Sequence, residues 1–148
     1  MGRSSCACAL ALPLFLIGLA ACGENPVAPS GRFDFTFSGD ASFQGPHGGQ
    51  TIEMALVRAD LRVTGMSVVS ATADPSFSFN FPGRLNEGET YHLDYWIDSN
   101  FGGGTPETCD PPGNDHQWRI DLGVVTDDVV IEDTHRPTET ESVCATFQ

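Results

Sequence analysis

The chain has 148 residues, 40% hydrophobic and 18% charged, which suits one domain with its own core rather than two. Its 20 acidic residues outnumber seven basic ones, and the resulting charge of −13 argues against nucleic acid as a partner, because phosphate backbones would be repelled. The 16 glycines and 10 prolines favour short strands joined by turns over long helices.

The first segment, residues 1–21, is a predicted export signal. Its apolar run of about 15 residues is shorter than the roughly 20 that span a bilayer as a helix. The run ends in Leu19-Ala20-Ala21-Cys22, which resembles the lipobox of bacterial lipoproteins. This resemblance implies cleavage before Cys22 and lipidation of its thiol. Because Gly23 rather than aspartate follows, it also implies the outer membrane if the envelope is Gram-negative.

Residues 22–31 are predicted to form the acylated cysteine and a flexible tether, since glycine, proline and serine predominate there. The nine residues after Cys22 reach at most about 30 Å, so the domain would stay close to the membrane. The folded domain is expected over residues 32–148.

Alternating apolar and polar residues predict β-strands along this domain. The alternating rows lie at residues 33–37, 52–56, 77–81, 91–97 and 118–122, with further strands expected at 68–71, 129–131 and 143–147. Seven or eight short strands in about 115 residues predict an all-β fold, an antiparallel β-sandwich with the aromatic rows in its core.

Residues 76–97 carry a Phe-x-Phe row followed by Leu85, Gly88, Tyr91 and Leu93. This spacing resembles the strand-turn-strand of transthyretin-like and carboxypeptidase-regulatory-like modules. The resemblance implies a fold and no particular activity.

The loop 98–116 carries the oxygen-bearing side chains Asp98, Asn100, Asp110 and Asp115. The motif Asp98-x-Asn100-x-Gly102 resembles the start of the calcium loops of dockerins and EF-hands, and Ca²⁺ takes six to eight oxygen ligands. These four residues are the predicted ligands of a structural Ca²⁺.

Two departures from the calcium pattern keep a second interpretation open. Gly102 stands where a third oxygen ligand is expected, and Cys109 occupies the twelfth position. Glycine turns, Asx-type hydrogen bonds and a disulfide would then hold the loop without an ion. Residues 91–119 also resemble a stretch of uncharacterised secreted bacterial proteins, which implies no established activity.

The cysteine count predicts one disulfide. Cys6 and Cys8 would leave with the signal and Cys22 would be lipidated, which leaves Cys109 and Cys144 as an even pair in an oxidising compartment. Zinc binding by this pair is disfavoured, because no second close pair of cysteine or histidine accompanies it.

Two charged residues are expected to pair across neighbouring strands. Asp94 lies on the strand face opposite Leu93 and Tyr95, and Arg119 on the face opposite Trp118. If these strands are neighbours, Arg119 bridges Asp94 as a structural ion pair.

The four histidines are His47, His92, His116 and His135, no two of them within five residues. Histidines on the surface are the first expectation. A copper or zinc site made of His47, His116 and a carboxylate is the alternative.

These features predict a membrane-anchored, non-enzymatic lipoprotein of the cell envelope, since the sequence carries no recognised catalytic motif. Its role would be structural or binding, with an envelope protein or glycan as partner and the loop 98–116 as the interaction or ion site. A periplasmic transition-metal-binding protein and a small envelope hydrolase are the alternatives.

Overall fold

The computed structural model describes residues 31–70 and 76–148. The predicted signal, Cys22 and all of the predicted tether except Gly31 lie outside the described residues. Within the part that is described, no helix is both long and apolar enough to cross a membrane.

Seven strands form two packed sheets, which confirms the predicted all-β sandwich. The strands are β1 (Arg32–Gly39), β2 (Thr51–Arg58), β3 (Val63–Ser70), β4 (Phe77–Asn86), β5 (Thr90–Ile97), β6 (His116–Val124) and β7 (Val129–Asp133). Strand β3 begins five residues before the predicted strand at 68–71. The loop between β5 and β6 has the predicted bounds within one residue.

The strand order is β4-β1-β7 in one sheet and β3-β2-β5-β6 in the other. All neighbouring strands are antiparallel except β1 and β7, which run parallel with Gly39 opposite Asp133. Strands β1 and β7 therefore end side by side at one end of the sandwich.

The alternating aromatic residues form the core between the sheets. Phe35 and Phe37 of β1 are fully buried, as is Tyr95 of β5. The rings of Phe37 and Tyr95 lie 5.1 Å apart, and Tyr95 stacks on Trp118 of β6 at 5.0 Å. Each such ring stabilises the fold by roughly 1.5–3 kcal/mol through burial, so this seam holds the two sheets together.

The predicted strand at 143–147 is wrong, because this segment forms a short 3₁₀ turn, Cys144–Phe147. The Val143 N–H donates to Oε1 of Gln117 (2.9 Å), so a side chain takes the place of a neighbouring strand. The disulfide to Cys109 fixes the turn, which packs against Trp96 on the outer face of β5.

Candidate metal centre

Three histidines from distant parts of the chain meet at one end of the sandwich. The first, His47, ends the one-turn helix α1 (Gln44–His47), which follows β1 through a 3₁₀ turn. Asp40 begins this turn by accepting the Ser42 N–H at 2.9 Å, as an N-cap residue does. The short path between β1 and β2 places the His47 ring fully inside the protein.

The second histidine, His116, is the first residue of β6 and pairs with Ile97, the last residue of β5. The N–H of Asp98 donates to the carbonyl of Thr51 at the start of β2 (2.9 Å). Because α1 lies just before β2, this end of the sheet brings His116 next to His47.

The third histidine, His135, follows β7, and the parallel pairing of β1 with β7 brings it to the same end. Three hydrogen bonds tie the two strand ends together. The Asp40 N–H donates to the Asp133 carbonyl (3.0 Å), and Thr134 Oγ1 donates to Asp40 Oδ2 (2.8 Å). The N–H of His135 donates to Ser42 Oγ (2.9 Å).

The three rings direct one nitrogen each towards a common point. His47 Nε2 lies 2.9 Å from His135 Nε2 and 3.0 Å from His116 Nδ1, and the last two atoms lie 3.2 Å apart. Tetrahedral zinc with Zn–N bonds of about 2.0–2.1 Å holds its nitrogens roughly 3.3 Å apart. The observed triangle therefore needs to open by only a few tenths of an ångström, roughly, to hold such an ion.

Hydrogen bonding prepares His47 as a ligand. Its Nδ1 lies 2.6 Å from Oε1 of Gln50, which puts the ring proton on Nδ1 and leaves the Nε2 lone pair facing the other two rings. An outer partner of this kind orients a metal-binding histidine.

The pKa values favour neutral rings. Burial is the largest cause, and it lowers the pKa of His47 from 6.5 to about 4, against the hydrogen bond to Gln50 and with the help of His135 and His116. Burial also lowers the pKa of His116 and of His135. At neutral pH all three rings are therefore uncharged, the form that binds a metal ion.

Aromatic side chains surround the cluster. Phe101 packs on His116 (5.1 Å between ring centroids) and on His47 (5.9 Å), while its own surface is 42% exposed. Trp118 lies 5.5 Å from His116 on the core side. Phe101, which belongs to the glycine-rich loop 98–116, therefore covers part of the histidine cluster.

The buried carboxylate of Asp115 organises this loop. Its Oδ1 accepts the N–H groups of Ser99 and Asn100, both at 3.0 Å, and its Oδ2 accepts the N–H of Asp110 at 2.9 Å. Three backbone donors offset the cost of burying the carboxylate, so Asp115 fixes the start of β6 next to His116.

The other predicted calcium ligands also contact the loop backbone. Asp98 Oδ2 accepts the N–H of Glu107 (2.9 Å), and Asp110 Oδ2 accepts that of Thr105. Asn100 Oδ1, in contrast, is buried and accepts no hydrogen bond from the described residues. These contacts agree with the second interpretation, in which hydrogen bonds hold the loop without an ion. The Ca²⁺ site stays a prediction.

The two other pairs expected from the sequence are close in the structure. Cys109 and Cys144 form the predicted disulfide. Arg119 lies directly opposite Asp94 in the β5–β6 pairing and donates from Nε (2.7 Å) and Nη2 (2.8 Å) to the fully buried carboxylate.

The sequence did not indicate His135 as a member of this cluster, and a carboxylate was expected as the third group. The structure places His47 in the interior and not on the surface, and it brings His47 and His116 together as the alternative required. No local spacing marks the cluster, because its members lie 69 and 19 residues apart along the chain. The β2–β5 and β5–β6 pairings bring His116 to His47, and the parallel β1–β7 pairing brings His135.

Comparison with known proteins gave no match to a family model, a curated protein or a solved structure.

Proposed function

We propose that this domain binds one transition-metal ion, zinc or copper, through His47, His116 and His135, as a non-enzymatic lipoprotein of the cell envelope. One observation carries the proposal: three imidazole nitrogens lie 2.9–3.2 Å from one another at the end of the sandwich. Within the described residues, these three histidines form a group whose potential ligand atoms all lie within 4.8 Å of one another.

The chemistry of this donor set favours zinc and copper. Imidazole nitrogens suit both ions, whereas Ca²⁺ and Mg²⁺ take oxygen ligands. Neutral rings can satisfy these nitrogens only in part, through N–H···N hydrogen bonds between neighbouring rings. Burial lowers all three pKa values, so the rings stay neutral at neutral pH and keep lone pairs available. A metal ion would accept one lone pair from each of the three rings at once.

The location of the protein is proposed from the lipobox at residues 19–22. Two or three acyl chains on Cys22, each buried CH₂ contributing about 0.8 kcal/mol, would anchor the domain stably. The change Cys22→Ser should move the protein from the membrane fraction of cells to the soluble fraction or leave it unprocessed. Unchanged membrane attachment of a processed protein would rule out the anchor. An envelope protein or glycan remains the proposed partner.

Metal titration of the full-length chain in uncharged detergent tests the site. After removal of metal by a chelator, we expect one Zn²⁺ or Cu²⁺ per chain by calorimetry. His135→Gln should weaken the affinity by at least about 100-fold, because losing an inner ligand should cost at least as much as losing an outer partner. The change Gln50→Ala, which removes the outer partner of His47, should weaken it by about 10–100-fold.

The fourth histidine provides a matched control. His92 lies on β5, where its ring contacts Asp94 at 3.6 Å and not the cluster. His92→Gln should leave metal affinity unchanged. If His92→Gln and His135→Gln weaken binding equally, or if no ion binds at micromolar concentration, the proposal is wrong. Metal analysis of protein taken directly from cells then distinguishes zinc from copper, because copper binds nitrogen sites more tightly in vitro whatever the natural ion.

A further inference from the structure

A cleft lined by four arginines lies at the opposite end of the sandwich from the histidines. It runs between the edge strand β3 of one sheet and the edge strand β4 of the other, and its volume is about 340 Å³. Small-molecule sites typically measure about 300–1,000 Å³. The arginines come from the start of β1, the end of β2, the β2–β3 turn and β4: Arg32, Arg58, Arg62 and Arg84.

This clustering is unusual for an acidic chain. The protein has seven basic residues and 20 acidic ones, yet four of the seven line one cleft. Among the described residues, Arg32, Arg62 and Arg84 belong to no ion pair, and all three are exposed. Like charges held together repel each other, so an anion bound between these three arginines would stabilise the cleft.

The carboxylates that border the cleft are already engaged. Asp60 binds Arg58 through both oxygens, and this contact lowers the pKa of Asp60 to about 2. Asp34 Oδ1 accepts the N–H of Gly83 at 2.7 Å. Asp60 therefore offsets the charge of Arg58, whereas Arg32, Arg62 and Arg84 have no ion-pair partner within the described residues.

We propose that this cleft is a binding site for phosphate groups. Guanidinium groups present paired N–H donors that match phosphate oxygens, and several of them together suit a ligand with two or more negative charges. Asn86, which also lines the cleft, offers a neutral amide donor. The inference does not depend on the metal site, which lies at the other end of the domain.

Two sources could supply such phosphates. Arg32 is the first residue of β1, so the cleft opens at the end where the chain enters the domain from the predicted tether. A phospholipid headgroup would be within reach if Cys22 carries the lipid anchor. A free oligophosphate of the envelope has the same chemistry without requiring a membrane.

Titration with inorganic triphosphate tests the site on the full-length, metal-stripped chain in uncharged detergent. We expect saturable binding that weakens as salt rises. The double change Arg62→Gln with Arg84→Gln removes two exposed, unpaired cations and should weaken binding at least tenfold. Arg136→Gln is the control with a single lost charge elsewhere, since Arg136 pairs with Asp133 and Glu139 away from the cleft, and it should leave binding unchanged. Thermal melts confirm that each variant folds.

A competition experiment separates the two sources. Phosphatidylglycerol added to the micelles should displace triphosphate if headgroups are the ligand, whereas phosphatidylcholine should not. Triphosphate binding without displacement assigns the cleft to a free phosphate ligand. If neither triphosphate nor phosphatidylglycerol micelles bind, or if the double variant binds as tightly as the unchanged protein, the phosphate site is refuted.

Discussion

The metal-free protein should lose stability as the pH falls from 7 to 5, because His47 binds a proton more readily when the chain is unfolded. The pKa of His47 is about 4 in the folded protein, against 6.5 for an unperturbed histidine, which is the value expected in the unfolded chain. A group whose folded pKa is lowered contributes stability that is present above the unfolded pKa and is lost as the pH falls through that window. For these two values the free energy of unfolding should fall by about 2 kcal/mol between pH 7 and pH 5.

The pKa values of His116 and His135 are also lowered, so they add to the loss in the same direction. Unperturbed carboxylates titrate near pH 4, which makes their contribution in this window small. Denaturant unfolding at pH 7, 6 and 5, in the presence of a chelator, measures the effect.

His47→Gln should be less stable overall but should have a flatter dependence on pH, whereas His92→Gln should keep the slope. Saturating zinc should raise the free energy of unfolding at each pH but should not remove the slope, because the metal-bound rings take up no protons while the unfolded chain still does. A pH slope that is the same in His47→Gln and in the unchanged protein would refute the burial of a neutral His47.

Three further predictions concern the disulfide, the Asp94–Arg119 ion pair and the loop 98–116. Reducing the disulfide between Cys109 and Cys144, which closes a loop of 36 residues (separation 35, plus one), should lower the free energy of unfolding by about 4 kcal/mol in denaturant titrations. Arg119→Gln should cost about 3 kcal/mol by the same assay, because it leaves the buried carboxylate of Asp94 without its cation. If the loop 98–116 binds Ca²⁺, millimolar Ca²⁺ should raise the melting temperature, and Asp98→Ala should abolish the shift.

Each of these predictions has its own contradicting result. Equal unfolding midpoints in oxidised and reduced protein would show that the disulfide does not stabilise the fold. For the ion pair, the double change Asp94→Asn with Arg119→Gln should recover part of the loss, and strict additivity would show that the two groups are not coupled. No melting shift with Ca²⁺ would leave hydrogen bonds and the disulfide as the means by which the loop is held.

The sandwich was largely predictable because alternation along a strand is a local property. Rows such as Phe33–Phe35–Phe37 report burial directly through their period of two. The disulfide could be predicted by counting the cysteines that remain after the signal and Cys22. The Asp94–Arg119 contact could be predicted from the strand face that each residue occupies. The last segment escaped prediction, since residues 143–147 are apolar enough for a strand but pack as a turn over Trp96.

The histidine cluster could not be predicted in full because it depends on which strands are neighbours. The sequence indicated His47 and His116 as an alternative pair, but nothing near His135 marks it as a ligand. Its position depends on the parallel pairing of β1 and β7 and on the bond from its N–H to Ser42. Pairings between such distant segments leave no local signal in one sequence.

The pairing of β1 with β7 has a consequence for the order of folding. Phe35 lies opposite Val129, so this contact closes a loop of more than 90 residues, and contacts of such long range form slowly. A nascent chain that stops before β7 holds two of the three histidines of the proposed metal site. His135 follows β7, so an ion that needs all three histidines would bind only after β1 and β7 have paired. Such an ion would oppose the reopening of that contact.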